Sequence, residues 1–193
     1  MLAGRDARPA EGKPMDARAV PQPALDRMVD PAGHPLVVGV VPGQDPLVVR
    51  TAAAWGRAVG APYLHLAYVD PTRYVVHERA DGSVAHMSMD PDGNDDAWRR
   101  TRDELRAQAA EHLAGQQVVW RVHYLAGRPD RALTHLARAV DASAVVVGSR
   151  SGRLRELLEG SIALHLAYHQ HRPVLTVPLS VADWKDPQAP WQR

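Results

Sequence analysis

The apolar positions of this chain fall into short continuous runs separated by amphipathic stretches. Leu36-Val37-Val38-Gly39-Val40-Val41 is rich in β-branched residues and does not alternate, the pattern of a strand buried on both faces of a parallel sheet. Pro42-Gly43 ends it. Asp45-Pro46 reads as a helix start, with aspartate as N-cap and proline at the first helical position. Val48, Val49, Ala52 and Trp55 then make a helical stripe that Gly60 stops. Tyr63 to Val69 is a second buried strand, closed by Asp70-Pro71. Further along, the pattern predicts a long helix from about Asp95 to Leu113, stopped at Gly115, and a strand over Val118–Leu125. It then predicts a helix from Pro129 carrying Leu133, Leu136 and Val140, and a strand at Ala144–Val147. A helix from Leu154 to about His169 and a last strand at Pro173–Val177 complete the series.

Between the second strand and the long helix, residues 71–93 break the alternation. Tyr74-Val75-Val76-His77-Glu78 and Ser83-Val84-Ala85-His86-Met87 flank Asp81-Gly82. This reads as a β-hairpin insert or flap with Asp-Gly at its turn. Residues 1–33, rich in Pro, Ala, Gly and charge, read as a disordered N-terminal arm. The core domain is expected over 34–180, with a flexible tail at 181–193 that carries Trp184 and Trp191. Strands alternating with helices imply a parallel sheet with helices on both faces. In such sheets ligands sit beyond the carboxyl ends of the strands.

Composition narrows the chemistry. The 193 residues are 45% hydrophobic and 23% charged, with a net charge of +1, so no single-sign field directs the protein to nucleic acid or to a membrane. There are no cysteines, which removes disulfides, thiol catalysis and cysteine zinc sites. No apolar run approaches the roughly 20 residues that span a bilayer. The N-terminus has no apolar core of a secretory signal, so the expected location is the cytoplasm. His165, His169 and His171 invite a metal reading, but no carboxylate or cysteine joins them in sequence. Asp70, Asp130 and Asp141 lie beside prolines or near helix starts, and capping accounts for them more simply than general-base chemistry. No P-loop lysine motif or Gly-x-Ser-x-Gly elbow is present.

The stretch that carries chemistry is Gly148-Ser149-Arg150-Ser151-Gly152, followed by Arg153 to Glu159 and Gly160-Ser161-Ile162. Glycines after a buried strand let backbone N–H groups close around an anion, and a following helix N-terminus favours negative charge. Arg150, Arg153 and Arg155 add positive charge. Ala144-Val-Val-Val-Gly-Ser-Arg150, Gly160-Ser161 and Arg172-Pro-Val-Leu-Thr-Val-Pro178 together resemble the C-terminal signature of universal stress proteins. Gly127-Arg128-Pro129 entering a helix is similar as well. The resemblance runs from about Leu36 to Pro178.

That resemblance implies an α/β fold like that of the adenine-nucleotide alpha-hydrolases: a five-stranded parallel sheet of order 3-2-1-4-5. It implies an ATP or AMP pocket formed by Val40, Val41, Pro42, Tyr68, Gly127, Gly148, Ser149, Arg150, Gly152, Gly160, Ser161 and Ile162. It also implies a homodimer paired through Pro173–Val177. The chain departs from the pattern of ATP-binding members, Gly-x2-Gly-x9-Gly-Ser. Here the spacing is Gly148-x3-Gly152-x7-Gly160-Ser161, one residue shorter, with Ser151 where the second glycine would fall and Glu159 beside the phosphate position. Val41 stands where such members carry a nucleoside-binding aspartate. The leading expectation is therefore a non-catalytic regulatory or stress-response protein whose nucleotide pocket is altered, with ATP binding weak or absent. The alternatives are a competent ATP/AMP sensor with slow hydrolysis, or an enzyme on a related nucleotide-binding fold.

Overall fold

The computed structural model describes residues 28–90, 96–149 and 162–179. Most of the expected arm, the expected tail, and residues 150–161, where a glycine-rich loop and the start of a helix are expected from sequence, lie outside these residues. Five strands form one parallel sheet: β1 (Leu36–Gly39), β2 (Leu64–Asp70), β5 (Trp120–Ala126), β6 (Ala144–Gly148) and β7 (Val174–Val177), in the order β5-β2-β1-β6-β7. Counted without the insert, that is the 3-2-1-4-5 order. Side chains alternate between the faces. Leu36 and Val38 join α1 (Leu47–Ala58) and α2 (Ala97–His112) in one core. Val37 and Val145 join α3 (Pro129–Ala139) and α4 (Ile162–His169) in the other.

The first strand is shorter than its apolar run suggests. It ends at Gly39, and only the Val40 N–H, bonded to the Ala67 carbonyl at 2.9 Å, continues the ladder. Pro42 has no N–H to extend it, and Gly43 takes φ +67°, with Gln44 N–H donating to Val41 O. Proline followed by a left-handed glycine is the signature of a type II turn. At the start of α1, Asp45 accepts the Leu47 N–H at 2.8 Å, which satisfies one orphan donor of the first turn. The buried stripe of α1 is Val48, Val49, Ala52, Ala53 and Gly56. Trp55 is half exposed instead. Gly56 takes the inward place because an added Cβ there would lie 3.1 Å from Leu64.

The insert is an antiparallel ribbon of β3 (Arg73–Glu78) and β4 (Val84–Ser88) with an irregularity between Val75 and His77. Gly82 sits at the turn with φ +78°, and Asp81 accepts hydrogen bonds from the Ser83 N–H and hydroxyl. The ribbon runs along the outer edge of β5. At its base His86 meets Trp98 of α2 and Tyr124 of β5. At its tip Gly82 packs on Leu136 and Ala139 of α3, and Glu78 pairs with His135.

Candidate functional site at the carboxyl ends of the strands

The turn after β1 is closed by two glutamines. Gln108 of α2 accepts the Gly43 N–H at 2.8 Å and donates to Val41 O at 3.2 Å. Gln44 accepts the Val41 N–H at 3.4 Å. The N–H groups of Val41, Gly43 and Gln44 and the Val41 carbonyl are thus satisfied from within the molecule. Val40 is 6% exposed and belongs to the core, whereas Val41 is 43% exposed. Neither side chain offers a hydrogen bond. Pro42 shapes the turn through its fixed φ and missing donor.

The end of β6 lies against this turn. A Cβ on Gly148 would sit 3.1 Å from Gln44 Nε2, 3.0 Å from Val48 and 2.9 Å from Leu179, so only glycine allows that approach. Ser149 donates its N–H to Val177 O at 2.7 Å, and its Oγ accepts the Leu179 N–H at 3.0 Å. The hydroxyl proton remains available as a donor. Ile162 opens α4 and packs against the α3–α4 core. Arg150, Gly152, Gly160 and Ser161 lie outside the described residues.

Farther along the same edge, Tyr68 of β2 stands opposite Tyr124 of β5, with ring centroids 5.3 Å apart. Tyr124 donates its hydroxyl to Asp70 at 2.5 Å, and Asp70 also accepts the Thr72 N–H and hydroxyl. Burial works to raise the Asp70 carboxyl, but the Thr72 and Tyr124 bonds outweigh it and hold the group below its usual range. Burial together with the Asp70 charge pushes both tyrosines upward. Trp98 and His86 complete an aromatic cluster around Tyr124, and Arg73 donates to His86 at 2.7 Å. Gly127, with φ +90°, donates its N–H to Asp70 O at the end of β5. The sheet order therefore places Gly127 two strands away from the β1 turn. Val41, Gly148 and Ser149 form one neighbourhood, and Tyr68 and Gly127 form another.

Several residues have roles that spacing alone does not reveal. Gln44 and Gln108 are ordinary helix-flank glutamines in sequence, and only the fold brings them to the turn. Asp141 is not a helix-start cap. It follows the C-cap of α3 in a left-handed conformation, φ +50°, as residues just past helix ends do. Its carbonyl bonds His34 and its carboxylate pairs with the buried Arg172. Asp130 lies in the first turn of α3 and pairs with Arg128 at 2.9 Å. His65 and His123 face each other at 2.9 Å beneath the ribbon. Among the described residues, no three His, Asp or Glu side chains come together in a form that could hold a metal ion, and no helix is long and apolar enough to cross a membrane.

Comparison with known proteins agrees with this architecture. A universal stress protein from Archaeoglobus fulgidus in complex with dAMP shares 22% identity, covering 75% of this chain and 97% of its own, with a TM-score of 0.53. A universal stress protein in complex with cAMP shares 24% identity over 77% of this chain and 99% of its own, with a TM-score of 0.54. The universal stress protein UspA of Lactobacillus plantarum gives 17%, 76%, 98% and 0.55 for the same quantities. No curated protein matches the sequence. The sequence model of the universal stress protein family matches residues 42–178, and with the five-stranded parallel sheet in the order 3-2-1-4-5, the chain belongs to the universal stress protein family.

Proposed function

We propose that this protein is a non-catalytic, cytoplasmic stress-response regulator whose adenine-nucleotide pocket, between the ends of β1 and β6, has been altered so that it binds ATP weakly or not at all. The observation that supports this reading is the self-closed turn after β1. Gln44 and Gln108 take up its backbone groups, and exposed Val41 provides no acceptor for a ribose hydroxyl. A buried hydroxyl left without a partner costs about 1–3 kcal/mol, or roughly tenfold to a hundredfold in affinity. The residues that are described therefore fit an adenine nucleotide poorly, and no step of chemistry is assigned to one.

A second reading, a competent ATP or AMP sensor, is favoured by the dAMP and cAMP complexes of the two structures similar to this one. Calorimetric titration with ATP and AMP, each repeated with adenosine as competitor, separates the two. The expected result is no adenosine-sensitive binding tighter than about 100 µM. Adenosine-sensitive binding in the low micromolar range would overturn the proposal.

A further inference from the structure

The outward face of α3 forms a basic cleft that the proposed function does not use. Arg128, Arg131, Thr134, His135 and Arg138 line a cavity of about 470 Å³ along that helix, and His169 closes it from the end of α4. Residues three, four and seven apart share a helix face, so the arginines rise along one side. Among the described residues Asp130 is the only acid in the lining, and its pairing with Arg128 holds it below its usual range despite partial burial. Among the described residues, Arg131 and Arg138 make no ion pair. His135 directs its Nδ1 to Glu78 of the ribbon at 3.2 Å, and its Nε2 is buried without a hydrogen-bond partner.

Gathering cations of one sign in a recess is unfavourable unless an anion completes it. Guanidinium groups are also the side chains best matched to phosphate oxygens. From Arg131 to Arg138 the helix rises about 10 Å, more than a single phosphate can bridge and suited to a chain of phosphates. The volume lies within the common range for small-molecule sites, about 300–1,000 Å³. A smaller lobe of about 190 Å³, walled by Val75, Glu78, Val84, Leu125 and Gly127, adjoins the cleft beneath the ribbon.

We infer that the α3–α4 cleft is a binding site for a linear condensed phosphate, either free or carried on a nucleotide, held chiefly by Arg131 and Arg138. The site is separate from the pocket between β1 and β6 and does not depend on the state of that pocket.

Calorimetric titration of the full chain with inorganic tripolyphosphate at about 50 mM salt, where screening is modest, tests the assignment. One binding site is expected, weakened at least about tenfold in the Arg131→Ala/Arg138→Ala variant. The Arg100→Ala/Arg106→Ala variant removes the same charge from exposed positions on α2 and should stay within about twofold of the parent. All four positions are exposed, and matching thermal transitions would confirm that each variant folds. Displacement of tripolyphosphate by ATP but not by adenosine would assign the nucleotide-borne chain and separate this site from the pocket at the strand ends. Absence of binding at millimolar tripolyphosphate, equal weakening in both double variants, or displacement by adenosine would overturn the inference.

Discussion

His65 and His123 sit side by side on neighbouring strands, their ring nitrogens 2.9 Å apart. A carboxylate at either position would satisfy the pair in one charge state only, whereas two neutral imidazoles can share a proton donor and an acceptor. Burial, the adjacent His123 and Arg121 together lower His65 to about 4, and burial also lowers His123. The fold thus favours the neutral ring, while an unfolded chain takes up a proton near pH 6.5. Stability should be full above pH 6.5 and should fall as pH drops through 6.5 toward 4, by up to about 3 kcal/mol from the His65 shift. Urea midpoints measured from pH 7 to pH 4 should decline steeply for the parent and less steeply for His65→Gln. Parallel profiles would show that the histidines do not carry the effect. In sequence, His65 and His123 were two unremarked polar residues within apolar strands, because only the β2–β5 register makes them partners.

At the scale of elements, the ribbon is the departure from a plain five-stranded domain. It lies along the outer edge of β5, where a bare strand would expose unpaired backbone groups, and it reaches helices on both faces. Its tip depends on Gly82. The backbone there has φ +78°, and an added Cβ would fall 2.5 Å from Leu136 of α3. Gly82→Ala combines left-handed strain of about 1 kcal/mol with a steric clash. The expected result is that hydrogen exchange speeds up at the ribbon amides, such as Arg79 N–H bonded to Ser83 O, and much less in β1. Unchanged protection of the ribbon would show that the tip does not anchor it. The Asp-Gly turn was legible from sequence because its chemistry is local. That the ribbon would dock on α3 was not, since the apolar residues Tyr74, Val76, Met87 and Met89 remain largely exposed and mark no buried face.

For the whole molecule, the two edges of the sheet differ. One is covered by the ribbon. The other is β7, with Val174 and Leu175 partly buried and Thr176 exposed, and no further strand pairs with it among the described residues. A strand with an open edge is satisfied by symmetric pairing with a second copy, and a homodimer through β7 is the assembly we propose. Light scattering at micromolar concentration should return twice the chain mass, and Thr176→Pro should shift it toward monomer. A parent protein that runs only as monomer would refute the proposal.

Sequence by itself determined the elements and their order. Continuous β-branched runs can be stable only when buried on both faces, and that requirement names the parallel strands without any contact being known. Gly60, Gly115 and Pro129 mark helix ends through backbone restrictions that are local to each residue. The glycine spacing around Gly148 and the valine at position 41 were likewise visible as residue identities. Tertiary structure decided everything that depends on which strands are neighbours. It brought Gln108 from α2 to the turn after β1, set Tyr124 against Asp70, and placed Gly127 two strands from Val41. It also gathered the arginines of α3 with His169 of α4 into one cleft. A side chain's partner across the fold is set by strand order and register, and neither quantity is written in the spacing of residues along the chain.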